Sequence, residues 1–412
     1  MIDQTKNKTF CILPWIHLNV WPDGNVYPCC MTGYLNPCGS AKENTLEEIW
    51  NNDFMKDLRQ SMMHGKPSPT CNRCYKLEES GLDSPRLSYT KRFSHLVEDA
   101  IESTFPDGTS ANFELKYWDF RVSNLCNFKC RMCGHGLSSH WYSDHIALNS
   151  VDVKTVALPR VIHFDDNSKV PIRSYIDEFI DSVEEVYFAG GEPLLMDEHY
   201  FILDELLRRG RTDVRLLYST NLSKLEYKTK RVADYLVQFK SVTFLASLDA
   251  VGPVGEYIRS GSDWEKIEAN VKEIIAINPE IVGINATVQI FNVLHIPELL
   301  DRLLSLGMTL PKILIDNVLD SPAHFSIRVL PDELKALVVT ELEDHLKRLT
   351  PTQAEYFRSH YDGIINFMNG TVPDRADLER RLKKETIKLD LLRGENYQTV
   401  LHPSIVKWMD SI

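Results

Sequence analysis

Apolar and polar positions follow three different patterns along this chain. Between residues 110 and 320, short apolar runs rich in β-branched and aromatic side chains alternate with longer stretches whose apolar positions recur every three or four residues. The short runs predict strands over 113–123, 185–189, 214–219, 242–248, 282–290 and 312–318. The periodic stretches predict helices over 136–148, 197–209, 224–239, 264–277 and 296–306. Strand and helix taking turns in this way predict an α/β fold with a parallel sheet, closed only partly, as a partial (β/α)6 barrel. In such folds reactive groups gather in the loops that follow the strands' C-terminal ends.

The flanking regions read differently. Residues 1–95 carry turn formers (Pro22-Asp23-Gly24, Asn36-Pro37), short strand candidates at 16–21 and 25–27, and one clear helix over 45–63 with Leu46, Ile49, Trp50, Phe54 and Leu58 on one face. So little apolar material predicts a small domain stapled by metal. Residues 331–412 predict a helical extension: Pro331 opens a stretch with Leu334, Leu337, Val338, Leu342, Leu346 and Leu349 on one face, and a second helix covers 374–393 before Gly394. That extension carries no metal-ligand pattern and reads as packing on the barrel or as a substrate lid.

Composition adjusts this picture only slightly. Apolar residues at 43% and charged residues at 25% are ordinary for a globular chain. Residues 1–10 are polar, and no run of about 18 apolar residues occurs, so a cytoplasmic protein without a membrane span is expected. In that setting nine cysteines argue for metal or redox chemistry rather than disulfides. The net charge of −12 argues against broad nucleic-acid binding, though not against a single nucleotide as substrate. Basic pairs such as Arg208-Arg209 and Lys383-Lys384 read as solvated helix faces.

The chemistry sits in the cysteines. Cys126, Cys130 and Cys133 form C-x3-C-x2-C directly after the first predicted barrel strand. Three soft thiolates on one loop can wrap an iron–sulfur cluster, and a four-iron cubane with three protein ligands keeps one iron open. Taken alone, the triplet could also be a zinc knuckle short of one ligand or a set of buried cysteines. Ala189-Gly190-Gly191-Glu192-Pro193 follows the second strand, where two glycines let backbone approach a ligand and Glu192 offers a carboxylate. The third strand ends at Asn221, the fourth at Ser247-Leu248-Asp249 with Arg259 beyond it, and Gln289 follows the fifth. A guanidinium is a permanently charged partner for a carboxylate, with a surface salt bridge as the alternative reading of Arg259.

Together these motifs resemble the radical S-adenosylmethionine (SAM) superfamily over roughly residues 115–320, including a bulky residue, Met132, before the third cysteine. The resemblance implies an open-site [4Fe–4S] cluster on Cys126, Cys130 and Cys133, whose electron splits SAM into methionine and a 5′-deoxyadenosyl radical. It further implies that Gly190, Gly191, Glu192 and Pro193 hold SAM's amino group. Ser247 and Arg259 would contact its ribose and carboxylate, as in peptide-modifying members, while Asn221 and Gln289 would lie around the bound cofactor.

Cys11, Cys29, Cys71 and Cys74 make a second set, C-x17-C-x41-C-x2-C, able to close a metal site fully. It is similar to the twitch domain, the short relative of the SPASM domain, which carries an auxiliary [4Fe–4S] cluster. In that family the domain usually follows the barrel, whereas here it precedes it. Zinc suits four cysteines equally well by ligand type. Cys30 is expected to point away from Cys29 on extended chain and, with Cys38, to stay outside the set, although a ligand swap remains open. His135, His140 and His145 are five apart and read as unrelated. His17 and His295 read as packing residues.

The activity implied is hydrogen abstraction from a bound substrate, first a peptide or protein, alternatively a sugar or nucleotide, with an electron donor such as flavodoxin or ferredoxin. A reading of another class is a non-catalytic iron–sulfur or zinc scaffold for electron transfer or partner binding. No general acid or base is assigned.

Overall fold

A computed structural model describes residues 7–412 except 34, 80, 82 and 150–159, so most of the polar N-terminal stretch lies outside the described residues. The chain folds as two compact units interleaved in sequence: 1–124, 161–217 and 238–241 form the first, and 125–160, 218–237 and 242–412 the second.

In the first unit the cysteine-rich N-terminal region is built into a sheet. Asn19–Val20 pairs antiparallel with Asn25–Tyr27, which pairs antiparallel with Gly39–Ser40. On its other side Asn19–Val20 pairs in parallel with Tyr117–Phe120, and that strand in parallel with Glu185–Phe188. Phe10, Ile12, Trp15, Ile16, Leu58, Met62, Phe93 and Tyr117 share one buried core. The N-terminal region therefore draws on packing from beyond residue 95 as well as on any metal.

The helix expected over 45–63 is two, Leu46–Trp50 and Asp53–Met63. Asn52 causes the break: its side chain accepts from the Met55 amide at 3.0 Å and caps a new helix. Asn51 beside it holds the Ser110 amide at 3.0 Å, and Thr45 opens the first helix with a capping box to Glu48. Helices Asn72–Glu79, Pro85–Arg92, Val97–Glu102 and Ile172–Phe179 add to the expected Asp197–Arg208.

In the second unit Ser241–Ala246, Val282–Val288 and Ile313–Val318 pair in parallel, with helices Trp264–Ile277 and Ile296–Ser305 following the first two strands in the chain. The expected strand over 214–219 is Arg215–Thr220, and the chain passes between the units within it. The mixed α/β class and the parallel pairing agree with a partial barrel. Two helices depart from expectation: the one over 136–148 is Tyr142–Asn149, preceded by a tight turn at Ser139–Trp141, and the other does not form. Residues 224–239 make a small hairpin, Glu226–Tyr227 with Lys230–Arg231, and then a short helix Val232–Leu236. Leu225, Val232 and Leu236 mimic a helical face, but the hairpin buries all three, with the Val232 amide on the Leu225 carbonyl at 2.9 Å.

The expected C-terminal helices are Asp332–Arg348 and Arg375–Arg393. A helix between them, Pro351–Met368, and two short ones, Tyr397–Val400 and Pro403–Ser411, complete the extension. No described helix is long and apolar enough to cross a membrane.

Candidate functional site

The C-x3-C-x2-C loop is held by backbone before any cofactor is considered. Lys129–Cys130 pairs antiparallel with Arg259–Ser260, and the Arg131 amide donates to the Ile258 carbonyl at 2.8 Å. Gly261 follows with φ +96°, and a Cβ there would stand 3.1 Å from the Asn127 carbonyl oxygen, so a glycine lets the two chains close up. Trp141 Nε1 donates to the Cys130 carbonyl at 2.8 Å, and the Cys126 amide donates to Ser139 Oγ at 3.3 Å. Cys126 and Cys130 are buried and Cys133 is half-buried.

The three thiols interact. The Cys133 thiol hydrogen-bonds Cys130 and, with the nearby Arg259 guanidinium, brings the Cys130 thiol down to about 7 against the cost of burial. Cys133 is pushed up by that same hydrogen bond and by burial, with Cys130 and Cys126 adding repulsion. Arg259 Nη1 lies 3.7 Å from Cys130 Sγ. Its principal partner is Asp249, at 2.8 Å from Nε and 3.1 Å from Nη2. The surface alternative for Arg259 is thus a buried ion pair, with Asp249 only 1% exposed.

Asp249 organises this corner. It also accepts from the Thr287 amide at 2.8 Å, where the register of Val282–Val288 against its neighbour shifts between Asn285 and Thr287. Asn292 ties the Asp249 carbonyl to the Thr287 carbonyl at 2.8 and 3.0 Å and accepts from the Gln289 amide at 2.8 Å. Gln289 is completely buried, and among the described residues neither polar atom of its side chain has a hydrogen-bond partner. Such atoms fit a polar ligand. Asn221 Nδ2 donates to Asn127 Oδ1 at 3.0 Å, which ties the loop after Arg215–Thr220 to the cysteine loop, and the Ser247 amide donates to the Thr220 carbonyl at 2.8 Å.

Gly190 to Pro193 lie in the first unit, after strand Glu185–Phe188. Gly190 has φ +84°, and a Cβ there would stand 2.8 Å from Arg121 Cβ, so only glycine fits. Glu192 is buried and caps the short turn Pro193–Leu195 through the Leu194 amide at 3.1 Å.

Also in the first unit, Cys11, Cys29, Cys71 and Cys74 line one cavity of about 20 Å³ with Leu13, Met31, Leu58, Met62 and Arg86 among its other walls. Burial pushes all four thiols up, Cys29 to about 12 and Cys71 to about 11, and their mutual repulsion adds to it for Cys11, Cys29 and Cys71. Apolar walls favour neutral thiols unless a cation compensates the thiolates. Among the described residues no three His, Cys, Asp or Glu side chains converge on a single-ion position. The four cysteines share the walls of that one cavity instead. Cys30 and Cys38 do not line the cavity: Cys38 donates to the Val26 carbonyl at 3.2 Å, and Cys30 stands near Cys29, Asp119, Arg121 and Cys74.

Among the histidines, His17 stacks on Tyr117 at 4.5 Å and bonds its carbonyl at 3.1 Å, as a packing residue does. His135 and His145 are not unrelated, since their rings stack at 5.6 Å. His135 precedes helix Tyr142–Asn149, so helical spacing does not govern the pair. Asp249 and Arg131 are the residues that motif reading leaves without a role. Asp249 stands inside the Ser247-Leu248-Asp249 turn, and Arg131 between Cys130 and Cys133.

A family model described as the radical SAM superfamily matches residues 120–303, and one described as SPASM, an iron–sulfur cluster-binding domain, matches residues 11–75. Among solved structures, Streptococcus suis SuiB bound to precursor peptide SuiA is similar at 14% identity and a TM-score of 0.33 over 72% of this chain. The chain spans about 60% of the length of that SuiB chain. No curated protein matches it. The two thiol sets fit what those domains carry, so [4Fe–4S] chemistry and SAM are the cofactors they imply. Residues 120–303 form a radical SAM domain, and an iron–sulfur cluster-binding domain of the SPASM type precedes it.

Proposed function

We propose that this chain cleaves SAM reductively at a [4Fe–4S] cluster on Cys126, Cys130 and Cys133 and modifies a peptide or protein by hydrogen abstraction. The observation that carries the reading is the gathering of three interacting thiols on one pinned loop beside Arg259. When bound, the cluster supplies the electron for SAM cleavage and an open iron for its amino and carboxylate groups.

The chain's own residues do the positioning. Asp249 fixes Arg259, whose guanidinium stays charged and reaches the Cys130 sulfur. The buried, unpartnered amide of Gln289 offers one donor and one acceptor group to a ligand. Asn221 ties the loop after Arg215–Thr220 to the cysteine loop, and the Ser247 amide bonds back to Thr220. For Gly190, Gly191, Glu192 and Pro193 the assignment to SAM's amino group rests on the motif. We assign a second cluster to Cys11, Cys29, Cys71 and Cys74, because residues 11–75 match an iron–sulfur cluster-binding domain and no three metal-binding side chains among the described residues converge on a single-ion position. The peptide substrate rests on the company SPASM-type domains keep, and flavodoxin or ferredoxin is the expected electron donor.

The test is anaerobic reconstitution with dithionite and SAM. Formation of 5′-deoxyadenosine is expected, and its absence with both clusters intact overturns the proposal.

A further inference from the structure

The C-terminal extension reaches the cysteine loop through one side chain. Arg131, between Cys130 and Cys133, is 1% exposed, and its Nη2 pairs with both Asp390 and Glu395. Asp390 sits in the last turn of helix Arg375–Arg393, and Glu395 lies just past it. The guanidinium lies 3.6 Å over the Tyr257 ring, its Nε donates to the Tyr257 carbonyl at 3.0 Å, and Tyr257 Oη donates to Asp390 at 3.0 Å. Asp390 also accepts from the Tyr397 amide at 2.7 Å.

The same helix makes a second attachment. Glu395 accepts from Ser260, the residue paired with Lys129. Arg393 donates to Ser260 Oγ at 3.1 Å and to Asp144 at 2.8 Å, and covers Trp141 at 4.7 Å. Trp141 in turn holds the Cys130 carbonyl. Lys129 completes the set, 3.5 Å from Asp144. Three cations, Lys129, Arg131 and Arg393, thus meet three carboxylates, Asp144, Asp390 and Glu395, in a largely buried network directly behind the ligand loop.

We infer that Asp390 and Glu395 are positioning residues for the cluster: through Arg131 they fix the three thiols and neutralise the cation behind them. A packed helix needs only apolar contact, and a lid needs to leave. Neither use explains a buried arginine sandwiched between ligand cysteines and answered by two carboxylates from about 260 residues away along the chain. An arginine buried without carboxylates carries a large penalty, so the loop and the extension order each other. Because the network is balanced, removing one carboxylate leaves net positive charge beside the cluster. Added positive charge favours the reduced, more negative cluster, so the midpoint potential rises. This inference rests on the assignment of the cluster to Cys126, Cys130 and Cys133.

The test uses the full chain, anaerobically reconstituted, with potentiometric EPR of the signal that changes when SAM is added. Glu395→Gln and Asp390→Asn keep shape and lose charge. Both should keep the wild-type circular dichroism and raise the midpoint potential of that signal. Iron loss to a chelator should quicken by roughly tenfold or more, the usual scale for disturbing residues behind metal ligands. Glu395→Asp should restore the potential. Ser260→Ala, which removes one contact and no charge, should speed chelation with the potential unmoved. A lower thermal midpoint with potential and chelation both unchanged marks a merely structural role and overturns the inference, as does a Glu395→Asp potential equal to that of Glu395→Gln. A wild-type protein without any SAM-responsive signal overturns the cluster assignment itself and this inference with it.

Discussion

Removing the Asp249 carboxylate should cost far more than an exposed ion pair would. Asp249 is 1% exposed, faces Arg259 at 2.8 Å, and also takes the Thr287 amide. At that separation and an effective dielectric of about 20, the direct attraction is about 6 kcal/mol, which desolvation of both groups partly cancels. Deleting one partner of such a pair costs about 3–5 kcal/mol, because the other stays buried and uncompensated. Asp249→Ala and Arg259→Ala are each expected in that range. The double variant should lose less than the sum of the two by about 2 kcal/mol or more, since no stranded charge remains. Denaturant midpoints of anaerobic protein, followed by tryptophan fluorescence, give all four corners of the cycle. Losses that add within about 0.5 kcal/mol would refute a coupled buried pair. A second readout carries a sign. Asp249 holds the Cys130 thiol up and Arg259 holds it down, so Asp249→Asn should lower it further. Cys130 in metal-free protein should then alkylate faster at neutral pH than in wild type, and a slower rate would contradict the arrangement.

Other expectations follow from the two thiol sets and one glycine. Cys126→Ala, Cys130→Ala and Cys133→Ala should each abolish 5′-deoxyadenosine formation, and retained cleavage would overturn the ligand assignment. Cys71→Ala should spare some uncoupled cleavage while losing substrate product, read by chromatography of both. Cys30→Ser and Cys38→Ser should keep the full iron content, because neither thiol lines the cavity; iron loss in either would redraw the ligand set. Gly190→Ala should destabilise by more than about 1 kcal/mol, since it adds a close contact with Arg121 to a left-handed backbone, whereas Gly210→Ala, left-handed but facing open space, should cost only about 1 kcal/mol. Equal midpoint shifts for the two would show that the contact relaxes.

Local signals read well in this chain, and distant ones do not. Apolar runs give every barrel strand within a few residues, and Trp264–Ile277 falls where its period puts it. The gathering of Cys126, Cys130 and Cys133 was legible because two or three residues of spacing bring thiols onto one loop wherever that loop lies. The failures have physical causes. Asn52 offers its side chain to a backbone amide, and no apolar period registers that competition. Leu225, Val232 and Leu236 keep helical spacing while a hairpin buries them. Arg259 was legible as a charge, but its pairing with Asp249 depends on two loops meeting, and Gln289's missing partners depend on complete burial.

The cysteine loop shows why the rest of the site lay beyond sequence reading. Its thiols are only as well placed as the backbone between them, and little of that restraint is local. Residues 258–260 supply a strand partner, Ser138, Ser139 and Trp141 bond back to the loop's carbonyls and amides, and Arg131 takes its carboxylates from Asp390 and Glu395. Each restraint costs conformational entropy on its own side of the contact, so none would persist without the other elements already folded. A loop held this way needs no cluster to find its shape, and chelated protein should keep the loop's pairing with residues 259–260. Hydrogen exchange at the Arg131 amide reads that directly: protection surviving iron removal is expected, whereas its loss would make the cluster the organiser of the loop and the surrounding network its consequence.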